Sequence, residues 1–81
     1  MVVDDLEACL QAYRFAELLL AGWHDKREKE REEALAAAQR LRDEVEPRYA
    51  AALASSRYDE ARLGSLRATR SKLDEELARK L

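Results

Sequence analysis

The first third of the chain carries an apolar stripe with the spacing of a heptad repeat. Its members recur at alternating intervals of three and four residues: Leu6, Cys9, Tyr13, Ala16, Leu20 and Trp23. This spacing predicts an α-helix whose apolar side packs on other helices. Leu10 widens the stripe, and Phe15 lies on roughly the opposite side. A helix that is apolar over most of its circumference is typical of the centre of a bundle or of an oligomer interface.

The predicted first helix covers residues 4–22. Asp4 precedes the stripe, where an acidic side chain caps a helix and interacts favourably with its dipole. Gly22 interrupts the stripe, and Asp25 followed by Glu28 has the form of a capping box, so a turn is predicted here. The alternative is one continuous helix, because the stripe keeps its phase and a glycine costs only about 1 kcal/mol relative to alanine.

A second apolar stripe predicts a long middle helix over 25–54. It comprises Ala34, Leu35, Ala38, Leu41, Val45, Tyr49, Ala52 and Leu53. The stripe keeps its phase across Pro47, which projects to the other side, so we expect a kink in a continuous helix. The alternative is a helix that ends at Glu46 and restarts with Pro47 in its first turn. The nine consecutive charged residues 25–33 predict a solvent-exposed start with local ion pairs.

The last predicted helix covers 57–81, after Ser56 and Asp59 at capping spacing. Its stripe consists of Leu63, Leu66, Leu73, Leu77 and Leu81. Arg70 occupies the middle of this leucine stripe, where an unpaired buried charge would cost several kcal/mol. Two interpretations stay open. In the first, Arg70 pairs with Glu17 of the first helix, inside one chain or across a dimer; in the second, Arg70 lies at the end of a short bundle with its stem on the leucines.

Together these patterns predict an all-α fold in a single domain, residues 1–81: a small antiparallel bundle of three helices with a long kinked middle helix. Ala, Glu, Lys, Leu and Arg make up 54 of the 81 residues, a composition typical of helical bundles and coiled coils. The chain has only three Val, one Thr and no Ile, which argues against a sheet. The alternative is a long helical hairpin that dimerises, with residues 4–54 as its first arm.

Charge gives no reason to expect nucleic acid as a partner. The net charge is −2, and the basic residues of the last helix are spread around its circumference among acidic ones. No apolar stretch, Leu18 to Ala21 included, is long enough to span a bilayer, and no basic region precedes an apolar run at the N-terminus. We therefore expect no membrane association and a cytoplasmic location.

The side chains that could carry catalysis or bind a metal are isolated from one another. His24 has no second His or Cys at ligand spacing, and Cys9 lies about 22 Å from it along a straight helix. Neighbouring acidic residues diverge by about 100° on a helix and do not converge on one proton. The sequence has no phosphate-binding loop and no cysteine cluster. We expect no enzymatic activity, no cofactor and no metal site.

These observations favour a non-enzymatic helical protein-interaction module: an adaptor, an assembly factor or a chaperone-like protein that acts through its apolar heptad stripe. The expected partner is a second copy of the chain, forming a homodimer, or an amphipathic helix of another protein. The predicted interface residues are Leu6, Leu10, Tyr13, Phe15, Glu17, Leu20, Trp23 and Arg70.

Two other functions stand as alternatives. One is a structural coiled-coil oligomer or scaffold with no client. The other is a helical regulator that binds nucleic acid through the last helix, with a steep dependence on salt. Phe15 and Trp23 discriminate the adaptor from the scaffold, because an adaptor leaves one of them accessible in the free protein and a scaffold buries both.

Overall fold

The first helix begins at an acidic cap, where the Asp4 carboxylate accepts a hydrogen bond from the backbone N–H of Glu7 at 2.8 Å.

The computed structural model describes residues 4–80, so Leu81 of the leucine stripe lies outside the described part. These residues contain no strand, and the predicted all-α bundle is confirmed. None of the helices in this range is long and apolar enough to cross a membrane. The helices are α1 (Asp5–Leu20), α2 (Glu28–Glu44), α3 (Glu46–Ala54) and α4 (Glu60–Lys80).

A tight turn at Gly22 separates α1 from α2. Gly22 has a φ of 69°, in the left-handed region that favours glycine, and a short 3-10 helix, Trp23–Asp25, follows it. Arg31 closes the turn, because its guanidinium donates hydrogen bonds to the carbonyl oxygens of Trp23 at 3.0 Å and His24 at 3.1 Å. The alternative of a hairpin with one uninterrupted first arm is therefore wrong.

The start of α2 differs from the prediction. Asp25 belongs to the 3-10 helix, and the residue that precedes α2 is Arg27, whose side chain makes no capping hydrogen bond. The helix begins at Glu28, three residues later than predicted. The predicted capping box between Asp25 and Glu28 is wrong, because the turn that Arg31 closes continues through Asp25.

The middle helix bends at Val45 and continues, as the phase of its apolar stripe predicted. Val45 has φ −93° and ψ 0°, which ends α2 and starts α3. Backbone hydrogen bonds nevertheless run through it: its N–H donates to Leu41 at 3.3 Å, and the N–H of Tyr49 donates to its carbonyl at 2.9 Å. Pro47 lies in the first turn of α3 on the exposed side, where its missing N–H faces water. Thus α2 and α3 form one kinked arm.

The last helix starts later than predicted, and its cap is Asp59. The Asp59 carboxylate accepts a hydrogen bond from the N–H of Arg62 at 2.8 Å, and α4 begins at Glu60. The prediction of a cap at Ser56 is wrong. The reason lies in Tyr58, which is 9% exposed and packs in the core, so the chain is still in its connecting loop at this position.

The three arms run up, down and up around one core. At one end of the bundle, the backbone N–H of Leu6 donates to the Tyr58 hydroxyl at 3.4 Å. At the other end, the Nζ of Lys80 lies 5.5 Å from the ring centroid of Trp23. Hence α1 and α4 are parallel, with the kinked arm antiparallel to both. The core is made of Leu6, Cys9, Leu10, Tyr13, Ala16, Leu20, Ala38, Ala52, Tyr58, Leu63, Leu66, Leu73 and Leu77.

Two glycine-to-alanine substitutions test the turn. Gly22→Ala is expected to lower the free energy of unfolding by about 1 kcal/mol, because a Cβ disfavours the left-handed region even where nothing lies within 4 Å of it. Gly64→Ala, in α4 with equally open space, is expected to raise it by about 0.5–1 kcal/mol, because alanine is the better helix former. Chemical denaturation measures both changes. A stabilising Gly22→Ala would contradict the left-handed turn.

Candidate protein interface

One side of α1 faces solvent and carries two large apolar side chains. Phe15 is 54% exposed and Leu18 is 69% exposed, and no other large apolar side chain between residues 4 and 80 is exposed to this degree. Because they lie three residues apart, they share one side of the helix. Gln11 and Arg14 are exposed on the same side. We call the surface formed by Gln11, Arg14, Phe15 and Leu18 the outer α1 face.

The opposite side of α1 is the core of the single chain. Four of the predicted interface residues lie there, with exposed fractions between 0% and 7%: Leu6, Leu10, Tyr13 and Leu20. The helices α2, α3 and α4 all contact α1 and cover this side. A partner could reach these side chains only if the bundle opened. The accessible apolar residues of α1 are therefore Phe15 and Leu18.

Trp23 packs against one end of the core and is partly buried. Two cations lie near its ring: the guanidinium carbon of Arg31 at 5.9 Å and the ammonium nitrogen of Lys80 at 5.5 Å from the ring centroid. Cation–π interactions of this kind hold the turn between α1 and α2 against the last residues of α4. Of the two aromatic residues that discriminate an adaptor from a scaffold, Phe15 is the exposed one.

Glu17 lies at the edge of the outer α1 face, beside α4. Its Oε1 atom is buried and accepts no hydrogen bond from any residue between 4 and 80. It lines a cavity of about 210 Å³ together with Leu20, Ala21, Lys72 and Glu76. Lys80 binds the Glu76 carboxylate at 2.8 Å, and this hydrogen bond lowers the pKa of Glu76. Glu17 is thus an unsatisfied acceptor in a cavity where the other carboxylate is already occupied.

Arg70 pairs with Glu46 and not with Glu17. Its Nη2 donates to Glu46 Oε1 at 2.8 Å, and its guanidinium carbon lies 4.1 Å from the ring centroid of Tyr49. Burial opposes the positive charge, but the Tyr49 hydroxyl and the Glu46 carboxylate outweigh burial and raise the pKa of Arg70. The interpretation that Arg70 pairs with Glu17 inside one chain is therefore wrong, because the bend before Pro47 places Glu46 and Tyr49 beside the leucine stripe of α4.

A second cavity, of about 540 Å³, lies between α2 and α4. Its lining residues are Gln39, Arg42, Asp43, Asp74, Leu77 and Ala78. The charged groups bind one another: Arg42 forms a hydrogen-bonded ion pair with Asp74 and a second ion pair with Asp43 at 3.3 Å. The hydrogen bond to Asp74 raises the pKa of Arg42. These groups hold α2 against α4.

Cys9 is completely buried in the core, with its Sγ 3.8 Å from the carbonyl oxygen of Val45. Burial raises the pKa of the Cys9 thiol, and the nearby Asp5 carboxylate raises it further. The thiol is therefore uncharged at neutral pH and packs as a small apolar group. His24 is exposed in the turn that follows the far end of α1.

Comparison of the chain with protein-family models, curated proteins and solved structures finds no match. The candidate interface is therefore identified by the geometry of the outer α1 face alone. Three members of this face, Gln11, Arg14 and Leu18, are not among the predicted interface residues. The signal that could have found Leu18 is its spacing of three from Phe15, which places both on the same side of a helix.

Proposed function

We propose that this chain is a non-enzymatic helical protein-interaction module, an adaptor, assembly factor or chaperone-like protein, that binds its partner through the outer α1 face. The observation that carries the proposal is the exposure of Phe15 and Leu18 on a bundle that covers, wholly or in part, the other large apolar side chains between residues 4 and 80. Two such side chains at a spacing of three are the arrangement with which a helix engages an apolar groove or another helix.

The exposure of Phe15 supports this function over a scaffold with no client, for which both Phe15 and Trp23 would be buried. The ion pairs of α4 argue against the alternative function of nucleic-acid binding. Arg70 is bound by Glu46 at 2.8 Å and Lys80 by Glu76 at 2.8 Å, so these cations are already neutralised within the chain. Phosphate binding needs cations that are free to replace counterions.

Site-specific photo-crosslinking in cells tests the proposal. A photoreactive phenylalanine analogue at Phe15 is expected to form covalent adducts with protein, because this position would lie in the interface. The matched control is the same analogue at Ala68, which is exposed on the side of α4 away from the core. Adducts from Phe15 that disappear with Leu18→Ser support the proposal. Equal labelling from Phe15 and Ala68, or no adduct from Phe15, contradicts it.

A further inference from the structure

We infer that the outer α1 face binds a second copy of this chain, so that two α1 helices lie antiparallel across a two-fold axis that passes midway between Phe15 and Leu18. This inference rests on the proposed function and names its partner. It follows from the self-complementary placement of two apolar and two charged side chains: Phe15, Leu18, Arg14 and Glu17.

Phe15 and Leu18 set the register of the two helices. In an antiparallel pair of identical helices, a residue of one helix faces the residue of the other that lies at the same distance beyond the two-fold axis. With the axis midway between Phe15 and Leu18, Phe15 of each copy packs on Leu18 of the other. Both side chains are more than half exposed in the single chain, and this arrangement would cover all four of them at once.

The charged pair shares nearly the same centre. Arg14 and Glu17 are also three residues apart, and their midpoint lies one residue before that of Phe15 and Leu18. With the axis between Phe15 and Leu18, Arg14 of one copy therefore lies about 3 Å along the helix from the point opposite Glu17 of the other, within reach of its long side chain. Arg14 is exposed and forms no ion pair with any residue of the described range 4–80. Each dimer would contain this ion pair twice.

A second copy would supply the hydrogen-bond donor that Glu17 lacks. Its buried Oε1 has no hydrogen-bond partner between residues 4 and 80, although Lys72 lines the same cavity. Ala21 also lines the cavity, and its small side chain is exposed. A long guanidinium side chain entering over Ala21 would supply the missing donor.

A single helix-to-helix contact is at the small end of specific protein interfaces. We therefore expect a reversible dimer with a dissociation constant between about 1 μM and 1 mM. Sedimentation equilibrium of the purified protein from about 10 μM to 1 mM should show the mass rise from 9.3 kDa toward twice that value. Leu18→Ser should raise the dissociation constant at least about tenfold. Arg40→Glu, on the exposed side of α2, is the matched control and should leave it unchanged.

Charge reversal tests the register of the two helices. Arg14→Glu and Glu17→Arg are each expected to weaken the dimer several-fold, and the double variant should restore it to within about threefold of the unchanged protein. Glu17→Gln removes the charge with little change in shape, so it should weaken the dimer even if Glu17→Arg disturbs the cavity. A protein that stays monomeric up to about 1 mM, or a double variant no better than the two single ones, overturns the inference.

The photo-crosslinking from Phe15 separates the two proposals. An adduct that contains two copies of the chain supports both. Adducts only with other proteins, together with a monomer in sedimentation, overturn the inference and leave the proposed function standing. A monomer that forms no adduct from Phe15 overturns both.

Discussion

Leu10→Glu is expected to unfold the protein, whereas Phe15→Glu on the same helix is expected to leave it folded. Leu10 is 7% exposed in the core, so its replacement removes apolar packing worth about 2–5 kcal/mol and buries a carboxylate at a further cost of several kcal/mol. An 81-residue domain has a total stability of about 4–12 kcal/mol. The combined loss is comparable with that total. Phe15 is 54% exposed, so the carboxylate that Phe15→Glu introduces would stay in water.

Far-UV circular dichroism and urea denaturation measure both variants. Phe15→Glu should keep the helix content of the unchanged protein, with a free energy of unfolding within about 1 kcal/mol. Leu10→Glu should show little helix content at 25 °C. The reverse outcome, a folded Leu10→Glu and an unfolded Phe15→Glu, would mean that α1 is rotated by about half a turn relative to its position here.

The different expected effects of Leu10→Glu and Phe15→Glu depend on which side of α1 faces the core, and the sequence alone does not determine that side. The helix is apolar over most of its circumference, so periodicity alone allowed either side to face a partner. The packing of α2, α3 and α4 determines which side is buried, because these helices cover the side that carries Leu6 and Tyr13. Four apolar residues of α1 that were expected to bind a partner are consequently core residues: Leu6, Leu10, Tyr13 and Leu20. Phe15 is the one apolar residue of α1 among the predicted interface residues that is exposed.

Local signals predicted helix ends well only where no tertiary contact competed with them. The cap at Asp4 formed as expected, since its acceptor and the N–H of Glu7 are close in sequence. At Asp25 no capping box formed, because the hydrogen bonds from Arg31 to the carbonyl oxygens of Trp23 and His24 stabilise a turn there instead. At Ser56, the burial of Tyr58 moved the start of α4 to Glu60, after its cap.

The phase of an apolar stripe proved more informative than a single residue type. Pro47 alone is compatible with a break or a kink, but the continuous stripe from Leu41 to Tyr49 predicted the kinked arm. The partner of Arg70 depended on this bend in three dimensions, which no sequence spacing specifies. The sequence therefore identified Arg70 as the unusual residue of the leucine stripe but did not identify Glu46 as its partner within the chain.

Arg70→Ala is expected to lower the free energy of unfolding by about 1–3 kcal/mol. The loss combines the cation–π contact with Tyr49, the packing of the arginine stem on the leucines, and the ion pair with Glu46. The side chain of Glu46 is 46% exposed, so solvent screens the ion pair and it contributes no more than about 1 kcal/mol. Packing and the aromatic contact are expected to supply the larger part.

Arg70→Leu separates packing from charge at this position. Leucine completes the apolar stripe of α4, and the Glu46 side chain is 46% exposed, so its carboxylate can turn into water once the arginine is gone; Arg70→Leu should therefore be within about 1 kcal/mol of the unchanged protein. The control is Arg67→Ala, which removes a half-exposed arginine 3.8 Å from Glu60 and should cost less than about 0.5 kcal/mol. If Arg70→Leu were as destabilising as Arg70→Ala in urea denaturation, the charge would be the dominant contribution. The guanidinium would then stabilise the junction of α3 and α4 through Glu46 and Tyr49, and its stem would contribute little.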